Sequence, residues 1–443
     1  MKKNSPRFFL LSLGCAKNTV DSEGMAQLLG RVGYLGVAEP EEADLLIVNT
    51  CGFIAPARDE SVGMLQELAG KKKPGQLLIA AGCLAQLAGG TLVEQVPGLD
   101  GVLGTRRWMD LLVLAGRLGR GLPSPQLHLP EDAFTVGQDD HGVLRAAVQG
   151  GSAYLKIADG CRRPCAFCAI PRIKGTAVSR PSERVVADAV QLATMGVKEL
   201  ILIAQDTSDY GHDQGEKNGL SRLLERLVAA VPELPWIRLM YAYPGYVTPS
   251  LMETMARYPQ ILPYLDIPLQ HAHPAVLKRM QRPANIEWVR ETLGQLRRMM
   301  PTIAIRTTFI VGYPGETDEE FEALLDFTQE MQFDRVGAFT YWPEAGTPAA
   351  LLPGQLPDAI KEERHERLMA LQQEISLTRN LAQVGRTLDV LIDGHGDGIS
   401  VGRSYRDAPE IDGLVIIEQE LPVGEMLAVR ITGAMHYDLV GQV

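Results

Sequence analysis

Six cysteines are the residues in this chain whose type and spacing offer distinctive chemistry, and they fall into two sets of three. Cys161, Cys165 and Cys168 lie in Gly160-Cys161-Arg162-Arg163-Pro164-Cys165-Ala166-Phe167-Cys168, a C-x3-C-x2-C spacing. Three thiolates this close together can hold three irons of a cubane, whereas full ligation takes four cysteines. No fourth cysteine is nearby in the sequence, so one iron is left open for a substrate or cofactor. An open iron suits catalysis rather than simple electron transfer. A structural zinc site is the competing reading. Zinc wants four ligands in a closed site, and the nearest histidines, His141 and His212, are far off in sequence.

Cys15, Cys51 and Cys83 are widely separated, but their settings are alike: Ser-Leu-Gly-Cys15, Ile-Val-Asn-Thr-Cys51 and Ala-Ala-Gly-Cys83. Each follows an apolar run that reads as a strand. In a parallel sheet such ends share one edge, where ligand sites form. Three loops could thus bring three thiols to one point, again with one iron open. The competing reading is three unrelated buried cysteines, a common core residue type.

The elements that must position these residues can be read from the hydrophobic pattern. Over 6–116, apolar runs at Phe8–Leu13, Leu45–Val48 and Leu77–Ala81 alternate with helix-compatible stretches such as Ser22–Val32 and Ala57–Ala69. The runs are apolar throughout, as in strands covered on both faces, and the order predicts an open parallel α/β sheet. Residues 117–146, with Pro123, Pro125, Pro130 and an acidic turn at Gly137–Gly142, read as a linker. From 147 to 376 the alternation resumes. Strands are expected at Ala153–Ile157, Glu199–Ala204, Trp236–Tyr241, Ile261–Ile267, Ile303–Ile310 and Val336–Tyr341. Helices are expected at Ser182–Met195 and Thr317–Met331, the latter opened by a Thr317/Glu320 capping box. Six βα units predict a partial (β/α)6 barrel whose site lies in the loops after the strands. A long charged helix is expected over Asp358–Asn380. Short β-type runs follow across 378–443, at Thr387–Ile392, Ser400–Arg403, Leu414–Glu418, Met426–Ile431 and Leu439–Val443, and predict a small antiparallel β-barrel.

The bulk numbers set limits. With 443 residues and about 150 residues per domain, about three domains are expected. No apolar run reaches the roughly 20 residues needed to span a bilayer. The start, with its short apolar Phe-Phe-Leu-Leu-Ser-Leu and no small-residue cleavage site, reads as a strand rather than a secretory signal. A cytoplasmic protein is the expectation, and disulfides are not expected there. The net charge of −11 disfavours bulk attraction to nucleic acid phosphates and favours a basic protein partner.

The Cys161-x3-Cys165-x2-Cys168 motif resembles that of the radical S-adenosylmethionine superfamily, over residues of about 147–376. Phe167 matches the family's usual aromatic beside the last cysteine. The resemblance implies a [4Fe–4S] cluster whose open iron is chelated by the methionine part of S-adenosylmethionine. It also implies reductive cleavage of that cofactor to a 5′-deoxyadenosyl radical. Against that expectation, Gly312 and Gly315 in Ile310-Val-Gly-Tyr-Pro-Gly-Glu-Thr317 allow backbone approach to an adenosine, or merely form a tight turn. Gln205, Asp206 and Thr207 end a strand on the same face, and either contact the cofactor or cap the next helix.

Leu13-Gly-Cys-Ala-Lys-Asn-Thr-Val-Asp-Ser-Glu23, with Cys51 and Cys83, resembles the amino-terminal domain of methylthiotransferases. That family also carries a TRAM-like barrel, so the likeness covers essentially the whole chain. It implies a second [4Fe–4S] cluster on Cys15, Cys51 and Cys83 that handles the sulfur to be inserted. Asn18, Asp21 and Glu23 either serve that cluster loop or cap the helix beginning there, with capping preferred.

Members of this family modify either a tRNA adenosine or an aspartate of a ribosomal protein. Residues 378–443 hold five arginines, no lysine and ten acidic residues, a formal charge of −5. A barrel that grips RNA should be basic, and an acidic one either complements a basic ribosomal protein, as preferred, or is a solvated surface with no partner. Tyr405-Arg-Asp-Ala-Pro-Glu-Ile-Asp-Gly413, Cys15-Ala-Lys-Asn-Thr-Val20 and Asp266-Ile-Pro-Leu-Gln-His271 also resemble the ribosomal-protein branch. The resemblance implies conversion of an aspartate of ribosomal protein S12, free or in the small subunit, to 3-methylthioaspartate. It further implies an electron donor and a sulfur source. The alternatives are a tRNA adenosine methylthiotransferase and a non-catalytic metal-bearing scaffold. His271 and His273 either line the cavity or are structural, with the structural role preferred. Tyr341, Trp342 and Glu344 follow the last barrel strand, where they either meet substrate or, as preferred for the two aromatics, pack. Lys71–Lys73 read as a solvated turn.

Overall fold

The computed structural model describes residues 5–130 and 141–443, so the first four residues and most of the expected acidic turn at 137–142 lie outside the described residues. The chain divides into two compact units. One comprises residues 1–147, 154–163 and 168–188, and the other comprises 148–153, 164–167 and 189–443.

In the first unit, six strands form one parallel sheet in the order β2-β1-β3-β4-β5-β6. They are β1 (Arg7–Ser12), β2 (Leu35–Gly36), β3 (Leu45–Thr50), β4 (Leu77–Gly82), β5 (Gly101–Gly104) and β6 (Gln126–His128). The helices α1 (Ala16–Arg31), α2 (Ala55–Lys71), α3 (Cys83–Gln95) and α4 (Leu111–Gly119) connect or follow them. Every residue of β3 is buried. Its side chains alternate between two cores, with Ile47 among Met25, Ile79 and Trp108, and Val48 among Leu65, Ala80 and Val102. This two-sided burial is why the strands are apolar throughout rather than alternating. At Gly24 an added Cβ would lie 2.3 Å from Trp108, so a glycine there lets the indole close on α1.

Two expectations are corrected here. Helix α1 begins at Ala16 with Cys15 as its N-cap, six residues before the expected start at Ser22. The segment read as a linker supplies β6, which pairs in parallel with β5.

The strands β7 (Ala146–Gln149), β8 (Ser152–Lys156), β9 (Ala158–Asp159) and β10 (Val178–Ser179) follow, with α5 (Ile170–Lys174) and α6 (Ser182–Thr194). In the second unit β11 (Glu199–Ile203) pairs in parallel with β12 (Trp236–Leu239). A parallel bridge links Ile237 to Ile261. The strands β13 (Tyr264–Asp266), β14 (Ala304–Val311) and β15 (Arg335–Thr340) continue in parallel. The helices α7 (Gly219–Ala230), α8 (Pro249–Arg257), α9 (Pro274–Arg279), α10 (Ile286–Met299), α11 (Asp318–Met331) and α12 (Asp358–Leu381) complete the βα units. The capping box at α11 is present: Thr317 accepts from the Glu320 N–H, and the Glu320 carboxylate accepts from the Thr317 N–H. The first residues of α11 are acidic, which suits the positive end of the helix dipole.

The strands β16 (Thr387–Gly396), β17 (Ile399–Ser404), β18 (Val415–Ile417), β19 (Met426–Ala434) and β20 (Leu439–Gln442) close a barrel around Val390, Ile392, Val415, Val429 and Ile431. The expectation of antiparallel pairing throughout is corrected at one place, because β18 and β20 run parallel.

Candidate metal centres

The cysteines of the first unit follow directly from the sheet. Cys15 caps α1 after β1, Cys51 follows β3, and Cys83 is the first residue of α3 after β4. β1, β3 and β4 are consecutive in the sheet. The order reverses between β1 and β3, and ligands of open α/β sheets bind at such switch points. A Cβ built on Gly14 would lie 3.0 Å from the Cys51 sulfur, and one on Gly52 would lie 2.8 Å from the backbone of Leu84. The loops therefore touch through glycines. Asn18 ties them: its Nδ2 donates to Leu13 O at 2.9 Å and Thr50 O at 3.0 Å, and its Oδ1 lies 3.7 Å from the Cys83 sulfur. Asn18, Asp21 and Glu23 all lie inside α1, so none of them caps it, which corrects that reading.

Burial pushes the Cys83 thiol up to about 12, with Cys15 and Cys51 adding to the rise and Lys174 opposing it. Burial also leads the rise at Cys51. At Cys15 the surrounding protein mass again opposes ionisation. Lys17 and the Asn18 and Lys17 N–H groups outweigh it, and the thiol falls below its usual value although its own surface is exposed. Cys15 raises the thiol of Cys51, and both raise that of Cys83, so the set suits a group of high positive charge, since coordination deprotonates a thiol outright. Among the described residues, no three His, Cys, Asp or Glu side chains converge as a single metal ion requires. A cubane spreads its ligands over several irons, so it does not demand such convergence.

Beneath this edge lies a buried charge cluster that sequence reasoning missed. Asp21 accepts from Lys156 and, at 3.0 Å, from Lys174, which also donates to Thr105 at 2.5 Å. Asp159 accepts from Arg145 at 2.7 Å and from Lys156 at 3.3 Å. All five charged groups are fully buried, and burial of a charge demands such pairing. The only sequence signal was a lysine inside an apolar strand, Lys156.

Of the central cysteines, Cys161 and Cys168 belong to the first unit. The sulfur of Cys161 accepts from Arg163 N–H at 3.4 Å and that of Cys168 from Ile170 N–H at 3.5 Å. Gly160 takes φ +79°, and a Cβ there would strike Thr176 O at 2.0 Å, so only glycine fits before Cys161. Cys165 belongs to the second unit. Its sulfur accepts from Arg282 Nη1 at 3.3 Å and lies 3.8 Å from the Tyr243 hydroxyl. Neither partner was expected. Phe167 is half-buried.

The remaining predicted residues of the second unit sit at strand ends. Gln205 follows β11, and its Oε1 is buried without a hydrogen-bond partner among the described residues. Asp206 occupies the N-cap position of a 3-10 turn without capping it, and accepts the Ser208 hydroxyl at 2.5 Å, while Thr207 donates to Met240 O at 2.6 Å. Gly312 and Gly315 both have positive φ, and a Cβ on Gly312 would meet Lys361 Cγ at 2.4 Å. Glu316, missed as a contributor, accepts from Gly312 N–H at 3.1 Å and from Arg364 Nη1 at 2.7 Å. His271 is fully buried; its Nδ1 accepts from His273 N–H at 2.9 Å, and its Nε2 faces Glu316 at 3.4 Å. His273 caps α9. Tyr341 packs edge-on against Tyr313, while Trp342 is half exposed, which corrects the packing expectation for that residue. Glu344 is buried. Lys72 is not simply solvated: it pairs with Asp100 at 2.6 Å. A cavity of about 320 Å³ opens beside Ser208, Tyr210, His212, Tyr246 and Leu251, in the loops after β11 and β12.

This arrangement of strand-end cysteines and half-open polar groups belongs to a known class. Residues 155–328 match the radical SAM superfamily, residues 7–104 an uncharacterized protein family, UPF0004, and residues 384–443 the TRAM domain. Among the solved structures that share the fold are two radical enzymes. One is a radical S-adenosylmethionine methyltransferase, TsrM, from Kitasatospora setae with cobalamin and a [4Fe–4S] cluster bound, with a TM-score of 0.57 at 16% identity over 90% of this chain and 81% of that one. The other is the cobalamin-dependent radical enzyme OxsB, with a TM-score of 0.51 at 11% identity over 84% of this chain and 56% of that one. The chain is thus a radical S-adenosylmethionine enzyme, and the superfamily implies that cofactor and a [4Fe–4S] cluster.

The full-length relatives are more specific. A protein of Chloroflexus aurantiacus is 51% identical over 98% of this chain and 99% of its own length, and one of Herpetosiphon aurantiacus is 48% identical over 99% of this chain and 100% of its own. Both are named ribosomal protein uS12 methylthiotransferase RimO, and the chain belongs to that family of methylthiotransferases. No described helix is long and apolar enough to cross a membrane.

Proposed function

We propose that this chain transfers a methylthio group to the β-carbon of an aspartate in ribosomal protein uS12, acting in the cytoplasm with two [4Fe–4S] clusters and S-adenosylmethionine. The observation that carries the reading is the pairing of two separate cysteine triplets within one chain that is alike, end to end, to uS12 methylthiotransferases. Cys161, Cys165 and Cys168 would hold the cofactor-binding cluster, and Cys15, Cys51 and Cys83 the one that handles sulfur. The donor sets fit: each offers three thiols and leaves a fourth corner for a ligand from outside the chain. When bound, these groups supply one-electron chemistry that activates an otherwise inert C–H bond.

The chain's own residues do the positioning. Asn18 and the glycines before Cys15 and Cys83 hold three strand ends at one edge. Phe167, Gln205, Asp206, Gly312 and Gly315 would form the cofactor contacts. Gln205 offers a buried amide oxygen with no hydrogen-bond partner among the described residues, and Glu316 fixes the Gly312 turn. The exposed acidic residues of the barrel suit a basic protein substrate. An electron donor and a sulfur source complete the reaction.

Mass spectrometry of ribosomal proteins and of digested tRNA, from cells with and without this gene, tests the reading. Loss of a methylthio mass from uS12 alone is expected. Loss of a methylthiolated nucleoside from tRNA with uS12 unchanged would overturn it.

A further inference from the structure

We propose that Arg282 sets the reduction potential of the cluster held by Cys161, Cys165 and Cys168, by donating an N–H···S hydrogen bond to Cys165 from a clamped and unneutralised guanidinium. This rests on the cluster assignment proposed above.

The geometry is specific. Nη1 of Arg282 lies 3.3 Å from the Cys165 sulfur while Nη2 donates to Pro268 O at 2.5 Å. The guanidinium carbon sits 4.5 Å from the centroid of the Tyr243 ring, and the Tyr243 hydroxyl lies 3.8 Å from the same sulfur. Thus the plane is fixed by a carbonyl on one side and a ring beneath. Among the described residues no carboxylate pairs with Arg282, so its charge is spent on the sulfur and the ring.

The backbone aims this side chain. Helix α9 stops at Arg279, Met280 is its C-cap, and Gln281 follows at φ +54°. Gln281 N–H donates to Lys278 O at 3.0 Å and Arg282 N–H to Leu277 O at 2.9 Å. This is a Schellman motif, whose left-handed position is usually glycine. A glutamine there is uncommon, and the turn it makes returns Arg282 toward the cysteine loop. The same turn is stitched to that loop by Ala166 N–H to Met280 O at 2.9 Å. The cysteine next to Ala166 and the arginine two residues beyond Met280 are therefore held in one local framework.

One-electron reduction adds negative charge that the cluster shares with its thiolates. A cation and a hydrogen-bond donor on a thiolate stabilise the reduced form more than the oxidised one, which raises the potential. Arg282 is a positioning residue in this sense, acting through Cys165. Its removal should make the cluster harder to reduce.

The test uses the full-length chain carrying Cys15→Ala, Cys51→Ala and Cys83→Ala, so that one cluster remains, reconstituted anaerobically and titrated with dithionite under electron paramagnetic resonance. Arg282→Gln should disfavour reduction at least tenfold, a fall of about 59 mV for one electron. Arg282→Lys, which keeps the charge and loses the fork, should fall between the two. An unchanged potential in Arg282→Gln, with iron and sulfide content intact, overturns the proposal. Should Arg282→Gln not retain iron, Arg282→Lys decides it, and an unchanged potential there overturns the hydrogen-bond claim. A different failure marks the underlying assignment: if the parent with three alanines carries no cluster, or if a further Cys165→Ala leaves its signal untouched, the ligand set itself is wrong.

Discussion

Arg403 on β17 places Nη1 2.8 Å from Oε2 of Glu199, the first residue of β11, although 204 positions separate them in the chain. The other carboxylate oxygen accepts from Arg238 Nε at 2.6 Å, and Ser152 bridges Glu199 and Arg403 at 2.8 Å on each side. Arg335 pairs with Asp407, Arg406 with Asp334, and Arg306 with Asp412 in the same manner. Glu199 and Arg335 are the first residues of their strands, so the barrel is anchored near strand starts, away from the strand ends that build ligand sites. The anchoring also uses the barrel arginines Arg403 and Arg406, which are buried, while Asp389, Asp397, Glu410, Glu418, Glu420 and Glu425 remain exposed. Asp407 and the Asp412 carboxylate are buried with them, so the barrel keeps at its surface the acidic excess that the sequence shows.

Glu199→Gln should destabilise this anchoring by about 3–5 kcal/mol, because it leaves two buried guanidinium groups without a full counter-charge. Burial pushes the Glu199 carboxyl up, but Arg238 and Arg403 outweigh that and hold it at about 2, against an ordinary 4.5. A depressed folded value means that its contribution is present above pH of roughly 4.5 and is lost as pH falls toward about 2. Urea unfolding of the second unit should show that acid-side loss in the parent, on the order of 3 kcal/mol, and a flatter profile in Glu199→Gln. Parallel profiles would refute the assignment.

The cysteine sets and the order of elements were legible in the sequence because they depend on local spacing and on apolar runs. The buried ion pairs were not, for a definable reason. Lys156 announces itself as a lysine in an apolar strand, but its partner Asp21 lies 135 residues away and reads locally as a cap. The early start of α1 was hidden because Cys15, its N-cap, makes no side-chain capping bond. Arg282 was hidden because its aim depends on a positive φ at Gln281, a residue type that gives no such signal. Glu316 stood within a recognised turn, where the glycines drew the reading and the carboxylate that accepts the Gly312 and Tyr313 N–H groups did not.

The two cysteine sets should separate by function. Cys165→Ala is expected to abolish 5′-deoxyadenosine production from reconstituted, reduced protein and to halve the iron content. Cys51→Ala should also lose iron, yet keep cofactor cleavage while blocking methylthio insertion. Chromatography of the products with iron analysis of each variant checks both. Full sulfur insertion by Cys51→Ala would remove the case for a second cluster.

Asp21→Asn should destabilise the first unit by about 3–5 kcal/mol, since Lys156 and Lys174 lose a shared counter-charge at full burial. The pairs are breakable from the other side too: Lys174→Met leaves Asp21 with Lys156, and should cost less than Asp21→Asn. Amide exchange over β3 and β4 reads the loss directly, because these strands are completely or nearly completely buried. Equal protection in the parent and Asp21→Asn would show that the cluster does not hold the sheet.

Gly312→Ala should weaken S-adenosylmethionine binding without removing iron. A side chain at φ +72° is strained, by about 1–3 kcal/mol, and its Cβ would overlap Lys361 Cγ. The turn would have to open, pulling the Gly312 N–H from Glu316, whose carboxylate also holds Arg364 on α12. Glu316→Gln keeps the shape of that side chain but forfeits its charge toward Arg364, so it should weaken binding as well. Equilibrium dialysis of the cofactor against reconstituted protein, with iron measured on the same samples, reads both variants. If Gly312→Ala binds as tightly as the parent while losing stability, the turn supports the fold and the cofactor lies elsewhere.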